Sequence, residues 1–119
     1  MLACLLVGCS TPSVEPDRVS SIQVLGFSGC PNTPELLYRV KLATIQSGIN
    51  ASVMYLDQKD LGEGDVRRGY PAPTVLIDGH DLYGLPAPTS ATGGCRLYAD
   101  GLPTTANITD RLLAINEDE

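Results

Sequence analysis

Apolar and polar positions alternate through residues 20–27, SSIQVLGF, and then run apolar, the pattern of a strand entering a buried sheet. The stretch SGCPN breaks that run. Thr33 followed by Pro34 and Glu35 reads as a helix start: Thr33 is placed to cap, Pro34 suits the first turn and Glu35 complements the dipole. From there ELLYRVKLATIQSG keeps apolar residues at 36, 37, 40 and 43 and a second set at 38, 42 and 45, with Gly48 as the stop. So broad an apolar surface predicts a helix packed hard against a sheet. Residues 50–56, NASVMYL, predict a second strand, and DQKDLGEGDVRRGY a charged, glycine-containing loop with room for a helical turn. PTVLI over 73–77 is the clearest strand. Asp78-Gly79 behind it predicts a hairpin, so that HDLYG over 80–84 returns antiparallel. Residues 85–103 form a loop rich in proline and glycine that carries Cys95 in GGCRLY. A final helix over 104–116 gathers Ile108, Leu112 and Ile115 on one side, widened by Leu113.

The order is therefore strand, helix, strand, hairpin, helix. A right-handed crossover makes the first two strands parallel, and a hairpin added beside the first strand completes a four-stranded mixed sheet. The predicted fold is α/β, an α+β sandwich with strand order 2-1-3-4 and flanking helices. A length of 119 residues suits one domain and is too short for two. With no tryptophan and one phenylalanine, the core must rest on Leu, Val, Ile and Ala. The formal charge of −6, from eight basic and fourteen acidic residues, argues against a nucleic-acid surface, since no basic cluster exceeds Arg67 with Arg68. The acidic end NEDE reads as solvated.

The first residues differ from the rest. Residues 1–8, MLACLLVG, are uncharged and apolar, residues 9–19 form a polar, proline-containing tether, and residues 20–119 form the domain. A bilayer-spanning helix needs about 20 apolar residues, so this segment does not span one. LVGC resembles the lipobox of a bacterial lipoprotein signal peptide, which implies lipidation of Cys9, membrane attachment through that lipid alone, and a place in the cell envelope facing the periplasm or exterior. The basic leader of such a signal is missing and the apolar part is short, which a start upstream of Met1 would repair. The other reading makes Cys4 and Cys9 part of an apolar tail, and the protein is then cytoplasmic. With Cys4 removed and Cys9 lipidated, Cys30 and Cys95 remain as thiols, which outside the cytoplasm pair or work.

GFSGCPNTPE followed about forty residues later by YPAPTVLIDG resembles the thioredoxin fold, over residues 20–116. The resemblance implies that Cys30 is the nucleophile of thiol–disulfide exchange, that Thr33 stands where a C-x-x-C pair has its second cysteine, and that Pro73, with Thr74 behind it, is the cis-proline. GCPNTP, PTVLIDG and CRLY also resemble a branch of small bacterial thioredoxin-like proteins associated with mercury detoxification, alkylmercury lyase-like.

Physical chemistry gives the same site a meaning of its own. A thiol at a helix N-terminus faces unsatisfied N–H groups and the positive dipole end, which lower its pKa from about 8.5 into a range of roughly 3.5 to 7.5. Pro31 and Pro34 stiffen the turn, and the Thr33 hydroxyl can donate to the sulfur. The plain alternative is a buried apolar cysteine in a turn. Because Thr33 is not a cysteine, Cys30 lacks the local means of resolving a mixed disulfide. Strand 3 starts beside the end of strand 1, and strand 4 returns to that edge at Gly84, so Cys95 comes near the same rim. There it would pair reversibly with Cys30 at the roughly 4.4 to 6.8 Å Cα separation that a disulfide needs. A structural cysteine under the loop, or a permanent disulfide, are the other readings.

Two neighbouring thiolates also suit a soft metal ion, with Cys30 and Cys95 as ligands. His80, predicted at the opposite end of the strands, is a poor third ligand and a poor general base, and structural zinc lacks ligands. Arg96, beside Cys95, either lowers the pKa of that thiol or, the favoured reading, faces water, and Tyr70 and Tyr98 either line the groove near Pro73 or join the core. Three functions follow: a thiol–disulfide oxidoreductase-like protein, a soft-metal thiolate trap, or a redox-inactive interaction module. No organic cofactor is required, the expected partners are protein or small-molecule thiols and disulfides, and a monomer is expected.

Overall fold

The computed structural model describes residues 18–90 and 94–117. The signal-like segment, most of the tether, Cys4 and Cys9 lie outside the described residues. Among the described residues no helix is long and apolar enough to cross a membrane.

The elements are β1 (Ile22–Gly26), α1 (Asn32–Ser47), β2 (Val53–Asp57), two 3-10 turns at Gln58–Asp60 and Val66–Gly69, β3 (Thr74–Ile77), β4 (His80–Asp81) and α2 (Thr105–Glu117). They build the expected four-stranded mixed sheet, in the order β2-β1-β3-β4. β1 runs parallel to β2, with Ile22 opposite Val53 and Gly26 opposite Asp57. β3 is antiparallel to β1, with Ile22 opposite Ile77 and Leu25 opposite Thr74.

Alternation along the strands divides the core in two. Ile22, Val24, Val75 and Ile77 pack with Leu36, Val40 and Ala43 of α1 and Ile108 and Leu112 of α2, so both helices share one face of the sheet. Leu25 and Leu76 turn to the other face and meet Tyr70, flanked by Leu56 and Leu85. Full burial of each such aliphatic side chain stabilises the fold by about 1.5–3 kcal/mol.

α1 departs from expectation at its start. The chain turns at Cys30, whose N–H donates to the Phe27 carbonyl at 3.1 Å, and the Thr33 N–H then donates to the Cys30 carbonyl at 3.2 Å. This carries the chain into helical geometry early, with Pro31 at the N-cap (φ −66°, ψ −21°) and no side-chain cap. A proline is tolerated there because its missing N–H has no helical partner to lose. Thr33 therefore lies inside the first turn and does not cap. Gly48 ends the helix as expected, left-handed at φ 74°. The second apolar set is only partly covered, for Leu42 is half-buried while Tyr38 and Ile45 are exposed. With α2 packed alongside, α1 buries the stripe facing the sheet and that neighbour, and its far side meets solvent.

The return strand is also shorter than expected and does not reach Gly84. The Asp81 carboxylate accepts the N–H groups of Tyr83 and Leu85, each at 2.9 Å, and the Gly84 N–H donates to the Asp81 carbonyl. That turn lifts the chain off the sheet after Asp81, with only the Leu82 N–H still bonded to Val75. The charged loop is ordered by its own side chains: Asp57 and Asp65 cap the two 3-10 turns, and the buried Gln58 amide donates to the Arg67 and Tyr70 carbonyls.

Arg18 and Val19, placed in the tether by the sequence, are held to the folded domain. Asn116 Oδ1 accepts the N–H groups of Arg18 and Val19, and the Val19 side chain is in the core. Ser20 and Ser21 are fastened to the Asp78 carboxylate in the hairpin turn.

Candidate functional site

Leu25 faces Thr74, so Pro73 lies one residue beyond the paired ladder, at the end of the sheet where β1 gives way to the Cys30 turn. The Ala72–Pro73 peptide is cis, as expected. That turn uses Gly29 at φ 110°, in the left-handed region that favours glycine. Cys30 and Pro73 thus share one end of the sheet.

Cys30 is a free thiol, 4% exposed. It belongs to neither apolar cluster, and Ser28, Gly29, Pro31 and Asn32 around it are all exposed. Cys30 is thus a buried thiol flanked along the chain by exposed residues. The Tyr55 phenol of β2 is pushed up by partial burial first, then by the carboxylates of Asp57 and Asp60 and by Cys30.

Thr33 does not do what its position suggested. It is buried, and its hydroxyl has no hydrogen-bond partner, the Cys30 sulfur included. The side chain is pressed against the β1 backbone at Gly26, where a Cβ would sit 2.5 Å from Thr33 Oγ1. A buried hydroxyl left unpaired costs about 1–3 kcal/mol.

Cys95 is exposed and also free, so the expected disulfide with Cys30 is not formed in this structure. Its loop nevertheless reaches the same rim. Cys95 bridges Ala72 in parallel: the Ala72 N–H donates to the Gly94 carbonyl at 2.7 Å and the Arg96 N–H to the Ala72 carbonyl at 2.6 Å. The Tyr98 hydroxyl donates to the Pro73 carbonyl at 2.7 Å, which places Tyr98 beside the proline, whereas Tyr70 is core.

Arg96 does not face water. Its guanidinium forks onto the Asp81 carboxylate, at 2.6 Å to Oδ1 and 3.2 Å to Oδ2, reaches Thr74 Oγ1 at 3.2 Å, and lies over the Tyr98 ring at 4.4 Å. Burial lowers its pKa, but the hydrogen bonds to Asp81 together with the fields of Tyr98, Asp81 and Tyr83 hold it above the ordinary value. The Asp81 side chain is fully buried, so losing Arg96 would strand a buried charge at a cost of about 3–5 kcal/mol. Sequence reasoning missed Asp81 and Ala72. An acid in a short strand otherwise read as hairpin was the available signal for Asp81, and a main-chain contact leaves none for Ala72.

His80 is exposed and pairs with Ile77, at the far end of the sheet as expected. Among the described residues no three His, Cys, Asp or Glu side chains group to hold a metal ion. A cleft of about 510 Å³ borders the loop on its Tyr98 side, lined by Tyr83, Asn107 and Arg111 among others, and neither cysteine lines it. Together the rim holds a buried thiol at the helix start, a proline-led strand and an exposed cysteine on an anchored loop. Comparison of the chain with protein-family models, curated proteins and solved structures finds no match.

Proposed function

We propose that this chain is a thiol–disulfide redox protein of thioredoxin-like type, in which Cys30 is the nucleophile and Cys95 the resolving thiol. The Cys30 thiolate attacks one sulfur of a partner disulfide, forming a mixed disulfide and releasing the other sulfur as a thiolate. The Cys95 thiolate then attacks Cys30, forming Cys30–Cys95 and releasing the second partner thiol. The partner disulfide gains two electrons, the two cysteines lose them, and a dithiol reductant restores them. The observation that carries this reading is the Cys95–Ala72 bridge next to Pro73, at the end of the sheet from which the Cys30 turn leaves. A lipid on Cys9 would keep the protein at the cell envelope.

The burial of Cys30 favours one rival, a redox-inactive interaction module. Alkylation of the folded protein by iodoacetamide, mapped to Cys30 by mass spectrometry, separates the two. Reaction at Cys30 without unfolding is expected, and no reaction short of unfolding favours the inert module. Replacing Cys95 by serine is expected to prolong the Cys30 mixed disulfide, and an unchanged lifetime would remove Cys95 from the mechanism. Stoichiometric uptake of mercuric ion without turnover would point instead to a soft-metal trap on the same two sulfurs.

A further inference from the structure

A main-chain edge with free N–H and C=O groups is a template on which an extended peptide adds as a strand. Ala72, the residue before Pro73, has both groups filled by its own chain, through Gly94 and Arg96. The filling segment has strand-like alternation: Cys95 and Leu97 are exposed, while Arg96 and Tyr98 turn inward. More than two ladder bonds hold it. Arg96 is forked onto buried Asp81, and Tyr98 is bonded to the carbonyl of Pro73, the next residue. Asp81 is in turn fixed by the Tyr83 and Leu85 N–H groups, so the anchor itself does not swing.

We infer that Gly94–Arg96 is a built-in occupant of the strand-docking edge at Ala72, latched by Arg96 on Asp81, and that an extended cysteine-bearing peptide gains this edge only when the latch opens. The residue facing Ala72 in the chain's own segment is a cysteine, so the incoming strand that best replaces it also carries its sulfur there. The identity of the partner rests on the function proposed above, but the closed edge does not. Under this arrangement Arg96 and Asp81 are positioning residues, controlling who reaches the rim without touching the reacting sulfurs.

The test uses the full chain, Arg96→Gln, and the milder Tyr98→Phe, which leaves the Asp81 pair intact if the first variant folds poorly. Amide hydrogen exchange is followed at Ala72 and Arg96, with Val24 and Val75 as core references. Reaction at Cys30 is followed with a small aryl disulfide and with a short peptide whose cysteine is disulfide-bonded to a small thiol. Exchange at Ala72 and Arg96 is expected to quicken at least about tenfold in Arg96→Gln and by a few-fold in Tyr98→Phe, with the core amides still protected. Reaction with the peptide is expected to quicken about tenfold in Arg96→Gln, and that with the aryl disulfide to stay within about twofold, since only a strand needs the edge. Unchanged exchange at Ala72 and Arg96 in both variants overturns the latch, whatever Cys30 does. Equal acceleration of both probes, or of neither, overturns the competition for the edge. If Cys30 reacts with neither probe while exchange still depends on Arg96, the redox reading falls and the closed edge stands.

Discussion

Gly26 and Thr33 pack hard against each other at the rim. Gly26 does not need a left-handed backbone; it needs the absence of a Cβ, because Thr33 lies against it. Gly26→Ala must push the first turn of α1 away from β1, and a cost of about 1–3 kcal/mol is expected in urea unfolding, as for other overpacked sites. Thr33→Val should do the reverse. It keeps the shape and removes a hydroxyl with no partner, so a midpoint equal to or above that of the parent chain is expected, by up to about 1 kcal/mol. Because the hydroxyl does not reach the Cys30 sulfur, the alkylation rate of Cys30 should not change in that variant. A changed rate would mean that Thr33 bonds the sulfur after all.

Among the elements, those with a repeating pattern were legible and those made by single side chains were not. The alternation of Ile22 and Val24 and the run Val75–Ile77 located β1 and β3, and the spacing of Leu36, Val40 and Ala43 located α1, because core burial enforces those periods. Sequence spacing did not reveal that α2 would cover only one flank of α1 and leave Tyr38 and Ile45 in water. Nor did it show that Asp81 would end β4 by gathering two N–H groups and a guanidinium, since those partners come from a turn and from a loop 15 positions away. The same missing information hid the inward turn of Arg96. The second 3-10 turn behaves similarly, and it is tested by pH. Hydrogen bonds from the Arg67 side chain and N–H lower the Asp65 carboxyl from 3.8 to about 2. A group whose pKa is lower in the folded state adds stability above its unfolded value and loses it as pH falls through the folded one. Stability should therefore decline between about pH 4 and pH 2. Asp65→Asn should flatten that part of the urea-midpoint profile, and an unchanged acid slope would show that the pair contributes nothing.

On the scale of the whole molecule, the sheet has two unlike ends. At one end Ser20 and Ser21 are fastened to Asp78, Asn116 holds Arg18 and Val19, and His80 is exposed. At the other lie Cys30, Pro73 and Cys95. The five residues of β1 separate them by about 17 Å of strand rise. The chain thus enters its fold by the back door. If lipid at Cys9 moors the protein to a membrane, the mooring line pulls on the stern while the two sulfurs ride at the bow. A bulky folded partner approaching from the aqueous side would meet them head-on, with no need to wedge itself beneath the domain.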